Sequence, residues 1–459
     1  GSLCSIANNW QNINRFKRTY PNVVTPYFEI PAGRSLAFFC TFIKREVIKQ
    51  IGYLSEDFGI GFGDDDWYCE LVRRAGFKLF LALDVVIPHY HRTTFKTIFN
   101  KEQIKGMQDR AFAKFNQKCG KDKDMIESKE ADKLKVFFAL GDKGGSGFVR
   151  VIMPSTYLEN KCSVKIWIDE KDNPNINECD ILVMQRQFNH KIISFIDVLK
   201  TTGKKVVYEI DDNIWQIPYS NSHRIFWKPE TVKNVERIIS LCDGVTVSTE
   251  PLAAIIHKFN KNVVILPNSM EFTAWMDEPK KDNEKVRIGW AGGYQHKCDL
   301  DICSHVLREI AEKHKDKVQL VFMGMMPDEF IGIAEHYPFV EYQLYMDNLK
   351  KLNLDIGILP LEDNIFNRSK SAIKFIDYSA LHIASIASPV YPYVTTIENG
   401  ITGLIVKKNR YKEWIKSIEL LIEDIDLRKK LAENANKVVK EKFDISKNVK
   451  LWYEFYRKL

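Results

Sequence analysis

The stretch FNRSKSAIKFIDYSALHIASIAS, from Phe366 to Ser388, sets two lysines and an acid where they could act together. If Ser369 to His382 is helical, Lys370, Lys374 and Asp377 recur at spacings of four and three and share one face. A solvated face of lysine and aspartate, paired internally, would read the same way. The preceding run LDIGILPL, however, has the composition of a buried strand, and EDNIFNRS is then the loop leaving its carboxyl end. The helix would therefore begin where parallel sheets bind ligands. Ser369 or Asn367 can cap it, and Lys370 falls in the first turn, where the helix dipole disfavours a cation. A phosphate opposite Lys370 removes that conflict. Asp377, seven residues on along the same face, can take two hydroxyls of a ribose.

Two glycine loops offer related chemistry. FFALGDKGGSGFVRVIMPSTYL reads as a strand, then Gly141, Gly144, Gly145, Ser146 and Gly147, then a helix from about Phe148. Glycines allow close backbone approach to a phosphate or sugar, and a helix N-terminus favours negative charge. A P-loop would end in Gly-Lys-Ser/Thr, which is missing. A dinucleotide fingerprint would need a glycine where Arg150 stands, although Asp169 lies at the right distance for a ribose-binding acid. A plain strand-to-helix turn also fits. In VRIGWAGGYQHKCDLDI, Gly292 and Gly293 end another strand and are followed by His296, Lys297 and Asp299. Two such loops at the same point of two successive units are more specific than either alone.

The elements that must position these residues follow from the apolar patterning. Charged, apolar-poor stretches at 118–133 and 277–285 divide the chain. From 134 to 283, short β-rich runs alternate with helical patterns, and the alternation restarts at 286 with VRIGWAG, VQLVFMG, FVEYQ, LDIGILPL, ASIAS and TGLIV. Strand, helix, strand in sequence means parallel sheets covered on both faces. The expected class is α/β: two doubly wound Rossmann-like domains facing a cleft. Expected boundaries are 1–130, 131–282, 283–445, and a final helix, 446–459, in which Trp452, Phe455 and Tyr456 recur at helical spacing.

Residues 134–459 resemble a GT-B nucleotide-sugar glycosyltransferase of the large retaining family that includes glycogen-synthase-like and bacterial polysaccharide enzymes. GGSG with Arg150 resembles that family's amino-domain loop beside the donor phosphates and acceptor, and YEIDDNIW, with Asp211 and Asp212, its loop facing the acceptor. GWAGGYQHKCDL resembles the first carboxyl-domain loop, and KSAIKFIDYSALHIASIAS the Glu-x7-Glu segment, with Ser369 at the first glutamate and Asp377 at the second. The resemblance implies a nucleoside-diphosphate sugar donor contacted by Gly145, Ser146, Gly147, Gly292, Gly293, His296, Ser369, Lys374 and Asp377. It implies a leaving diphosphate neutralised by Lys370 with help from Lys297, Asp211 on the acceptor side, no metal, and a glycan, lipid-linked or protein acceptor. The last helix would cross back onto the amino domain. A nucleotide-sugar epimerase or phosphorylase, or a non-catalytic sugar-binding module, stays open.

Residues 35–96 resemble the acceptor half of a GT-A, family-two type glycosyltransferase, which would make Asp65 a catalytic base and His89 a metal contact; Asp64 to Asp66 also suit a plain helix start. The half that would bind nucleotide is not in the sequence, so this α+β segment is expected to be inactive.

The 459 residues are 45% hydrophobic and 12% aromatic, enough for two or three cores. A net charge of +7, spread over 67 basic and 60 acidic residues, suits anionic ligands or peripheral membrane contact better than nucleic acid. The nine cysteines lack CxxC spacing, and no run of about eighteen apolar residues occurs, so a cytoplasmic protein is expected.

Overall fold

The computed structural model describes residues 27–29, 35–36, 41–59, 62–82, 100–119, 133–159, 161–167, 175–272 and 282–459. His89 and Asp169 lie outside them. The chain forms two compact units, Gly1–Asp132 and Lys133–Leu459.

In the first unit, strands β1 (Tyr27–Glu29) and β2 (Phe80–Ala82) pair antiparallel. Helices α1 (Arg45–Ile51), α2 (Asp64–Arg74) and α3 (Lys101–Cys119) accompany them. Val47, Tyr68, Cys69, Val72 and Leu79 make a small core. Asp64, Asp65 and Asp66 occupy the first turn of α2, where the helix dipole favours acids.

The second unit holds two six-stranded, wholly parallel sheets. The amino-terminal lobe, called the acceptor lobe below after the role the resemblance implies, contains β3 (Lys135–Ala139), β4 (Ser163–Trp167), β5 (Ile181–Gln185), β6 (Lys205–Ile210), β7 (Gly244–Val247) and β8 (Val263–Ile265), in the order β4-β3-β5-β6-β7-β8. The carboxyl-terminal lobe, called the donor lobe on the same ground, contains β9 (Val286–Gly292), β10 (Val318–Gly324), β11 (Glu335–Tyr337), β12 (Ile356–Leu359), β13 (Ala384–Ala387) and β14 (Leu404–Ile405), in the order β11-β10-β9-β12-β13-β14. Central strands such as β5, β7, β12 and β13 are buried along their whole length. That burial is why they read as continuous apolar runs: helices cover both faces of each sheet. In each lobe the strand order reverses once, between β3 and β5 and between β9 and β12. Those reversals leave a crevice outside the carboxyl ends of the two strands.

The expected strand FVEYQ is not formed. The third strand of the donor lobe comes earlier, at Glu335–Tyr337, and Tyr342 opens helix α9 (Tyr342–Lys351), which buries Met346 and Leu349. The final helix, α14 (Ile445–Arg457), inserts Val449, Trp452, Phe455 and Tyr456 among Val136, Phe138, Leu158 and Val183 of the acceptor lobe. Burying each of these large side chains stabilises by roughly 1.5–3 kcal/mol. Among the described cysteines, Cys69, Cys162, Cys179, Cys242 and Cys303 are buried free thiols, and Cys298 is exposed.

Candidate active site

At the acceptor-lobe crevice the chain leaves β3 through Leu140–Gly147. A Cβ on Gly141 would collide with the Gln185 carbonyl, and one on Gly147 with the Asp142 carbonyl, so only glycine lets the loop fold this tightly. The Gln185 side chain ties the loop down, accepting from the Gly141 amide (3.1 Å) and donating to Ser146 Oγ (3.1 Å). The helix starts at Gly145, earlier than expected, and its Phe148–Ile152 segment has π geometry. Arg150, on that segment, does not reach the cleft. It is 1% exposed, donates to both Glu209 oxygens (2.7 and 3.0 Å), and reaches Asn268 Oδ1 (2.9 Å) and the Leu266 carbonyl. With its donors satisfied internally, Arg150 braces the lobe instead of meeting donor phosphates.

The cation at this crevice is Arg186, which sits just beyond β5 with a φ of 49°. Its guanidinium donates from Nε to Asp211 Oδ1 (2.8 Å), pairs with Asp212, and lies 3.9 Å from Asp142. Burial works against its charge, but the three carboxylates outweigh this and hold the guanidinium above its usual range. Burial alone would likewise raise the Asp212 carboxyl. The charges of Arg186 and Lys370 reverse that and keep it below the usual range. Asp211 is thus half of a charge pair, a role the sequence reading did not include.

At the donor-lobe crevice, β9 ends in Gly292, and Gly293 opens a turn through His296 into α8 (Lys297–Lys313). His296 Nδ1 lies 2.9 Å from Asp299 Oδ2. Burial, then the nearby charge of Lys370, depresses the imidazole to about 3, so it is neutral and donates from Nδ1 to the carboxylate. The other Asp299 oxygen accepts from the Glu362 amide (2.9 Å) and Asn367 Nδ2 (3.1 Å), fixing the loop that leaves β12.

The anticipated single helix over Ser369–His382 is broken. A short turn of helix, α10 (Ile365–Arg368), is capped by Asn364, and α11 (Ile373–Ala380) begins only after Ala372. Neither Ser369 nor Asn367 caps the helix. The break follows from what Ser369 touches: its hydroxyl donates to the Ile365 carbonyl (3.0 Å) and accepts from Asn213 Nδ2 (3.2 Å), while its carbonyl accepts from Thr249 Oγ1 (2.7 Å). Lys370 therefore lies on the turn between the helices. Its ammonium stands 4.7 Å over the Phe366 ring and donates no hydrogen bond among the described residues.

Lys374 and Asp377 share α11. Lys374 Nζ folds back to the Ala291 carbonyl, 4.7 Å over Trp290, and would be 2.7 Å from a Cβ on Gly292. Burial brings its ammonium down to about 8, against the pull of Asp377 and Asp299. Asp377 is 2% exposed, and its Oδ1 has no hydrogen-bond partner. Burial pushes its carboxyl up to about 7, despite Lys374 and a hydrogen bond with Tyr345. The Tyr345 ring stacks on Tyr342 (5.5 Å), which meets Phe148 (5.4 Å) and lies 2.8 Å from where a Gly145 Cβ would stand. Gly145 is thus the point where the donor lobe's tyrosines reach the glycine loop.

These contacts set Lys370 near Asp212 and His296, Lys374 against Gly292, and Gly145 against the Tyr342 ring, which stacks on Tyr345 beside Asp377. Gly293 directly follows Gly292. Lys297 is engaged elsewhere, 61% exposed and paired with Asp301 (2.9 Å). Asp65 belongs to the first unit, where it accepts the Asp66 amide (2.9 Å). Sequence reasoning missed Arg186, Asn213, Thr249, Tyr342 and Tyr345; only the position of Arg186 just past an apolar strand could have flagged it.

Residues 271–438 match the family model for glycosyl transferases group 1. Over 91 residues, 20% of this chain and 23% of the relative, the chain is 38% identical to the capsular polysaccharide biosynthesis glycosyltransferase CapM of Staphylococcus aureus. The match spans under a quarter of that relative's length. HepE of Anabaena, solved with UDP and glucose, superposes with a TM-score of 0.52 at 11% identity, over 71% of this chain and 100% of its own. Sucrose-phosphate synthase of Thermosynechococcus elongatus gives 0.52 at 11%, over 71% and 99%. A glycosyltransferase of Rickettsia africae gives 0.51 at 15%, over 71% and 98%. The second unit has the GT-B fold, and its segment 271–438 is similar to the group 1 glycosyltransferases.

Proposed function

We propose that this protein moves a sugar from a nucleoside-diphosphate sugar to a hydroxyl of a glycan, lipid-linked or protein acceptor, in bacterial surface polysaccharide or glycoprotein synthesis. The observation that carries the reading is Lys370, an ammonium without an oxygen partner among the described residues, at the donor-lobe crevice, beside a neutral His296 and near Asp212. A cation so placed suits the charge that grows on a departing diphosphate, and such stabilisation is usually the largest single catalytic effect. Gly292 and Gly293 would present backbone to the phosphates, and the free Oδ1 of Asp377 would accept ribose hydroxyls. In the proposed step the bond from the anomeric carbon to the phosphate oxygen breaks while the acceptor oxygen bonds on the same face. The acceptor proton leaves with the phosphate. Configuration is retained, and Lys370 supplies charge that a metal would otherwise bring.

The first unit, with Asp65, is proposed to be similar to the acceptor half of a family-two type glycosyltransferase. A lipid-linked acceptor would be met by peripheral contact at the inner face of a membrane; among the described residues no helix is long and apolar enough to cross one.

The test is turnover with UDP-, GDP-, CMP- and dTDP-sugars in EDTA, following nucleotide release and the anomeric proton coupling of the product by NMR. Release with a retained anomer is expected. An inverted anomer, or release that Lys370→Ala leaves intact, contradicts the proposal.

A further inference from the structure

The turn that carries Lys370 belongs to the donor lobe by sequence, yet the acceptor lobe holds it. Thr249 Oγ1 donates to the Ser369 carbonyl (2.7 Å) and Asn213 Nδ2 to the Ser369 hydroxyl (3.2 Å). On the other side of Lys370, Asn268 Nδ2 donates to Ser371 Oγ (2.8 Å), and Asn268 is itself held by buried Arg150 (2.9 Å). Phe366, at the start of the turn, packs into the acceptor lobe's core with Ile214 and Ile217. Both neighbours of Lys370 are therefore fixed from across the cleft.

Two details set this apart from ordinary lobe packing. Thr249 is the N-cap of helix α7 (Glu250–Ile256), where a threonine hydroxyl normally accepts from its own helix; here it makes no cap bond and donates to Ser369 instead. Asn213 is 1% exposed, its Oδ1 has no partner, and it directly follows Asp212, the carboxylate whose ionisation Lys370 favours. The loop that sets the acidic group also sets the residue before the cation.

We propose that Thr249 and Asn213 are positioning residues for Lys370, so that its hold on the donor diphosphate depends on the acceptor lobe being docked. This rests on the reading of the cleft as a nucleoside-diphosphate site. Losing one buried neutral hydrogen bond corresponds to about a 5–10-fold change in an equilibrium constant.

The experiment is a double-mutant cycle on the full chain, reading by calorimetry the affinity for whichever of UDP, GDP, CDP and dTDP binds best. Thr249→Val should weaken binding about 5–10-fold and Thr249→Ser should restore it. In a Lys370→Ala background, Thr249→Val should change nothing further, because residues acting through one another are not additive. An additive cycle, or a Thr249→Val protein with unchanged affinity, overturns the positioning role. If Lys370→Ala binds like the wild type, the donor-site reading itself fails, whatever the cycle gives. Asn213→Ala, which removes the bond to the other Ser369 atom, repeats the cycle if Thr249→Val does not fold.

Discussion

At the acceptor-lobe crevice the charges have found one another: Arg186 lies among Asp211, Asp212 and Asp142, and Arg150 clasps Glu209 in the interior. At the donor-lobe crevice, among the described residues, Lys370 has only the Phe366 face and more distant charges, one oxygen of Asp377 is orphaned, and burial shifts Asp377 and Lys374 toward neutrality. The two crevices occupy equivalent points of two similar sheets. Pairing distinguishes them, and it separates a crevice organised by its own residues from one whose unpaired groups suit an anionic, hydroxyl-bearing ligand.

The contrast breaks most visibly at Lys370. Lys370→Ala should lower kcat about 100- to 1,000-fold, as the loss of a transition-state donor does, with thermal stability unchanged in the same preparation. Arg186→Leu should act in the opposite way. Removing the cation leaves three half-buried carboxylates facing one another, and up to about 3 kcal/mol of stability should go, seen as a lower denaturant midpoint. A midpoint equal to the wild type would mean that the acceptor-side pairing contributes nothing.

Asp377 sharpens the comparison through pH. Burial pushes its carboxyl up to about 7, and hydroxyls are gripped by the ionised form. Nucleoside-diphosphate affinity should therefore rise as pH goes from 6 to 8 and be lost as pH falls through 7. Asp377→Asn should weaken binding roughly 10-fold or more and flatten that rise. The smallest effect belongs to Lys297, whose exposed pair with Asp301 is worth about 0–1 kcal/mol. Lys297→Ala should change turnover by under about 3-fold; a loss matching that of Lys370→Ala would return Lys297 to the phosphates.

Much of the scaffold was legible because buried parallel strands announce themselves as apolar runs and the glycine loops mark the ends of β3 and β9. What escaped was decided by distant partners. Ser369 breaks the expected helix because Thr249 and Asn213, far away in sequence, hold it. Arg186 meets Asp211 and Asp212 only once β5 and β6 lie side by side. FVEYQ has strand-like composition, but Tyr342 starts a helix that buries Met346 and Leu349, and a short apolar run cannot distinguish the two by period. The same misreading hid Tyr342 and Tyr345. Arg150 is misplaced because a basic residue after a glycine loop looks like a phosphate ligand until Glu209, on β6 two strands away from β3, is seen beside it.

The most direct test of the central claim is thermal unfolding of the wild type and Lys370→Ala with UDP, GDP, CDP and dTDP in EDTA. A ligand at about 100 times its Kd stabilises by roughly 2.7 kcal/mol. The account predicts a clear upward shift with one nucleotide in the wild type, absent in Lys370→Ala. No shift with any of them, or an equal shift in the variant, would contradict it.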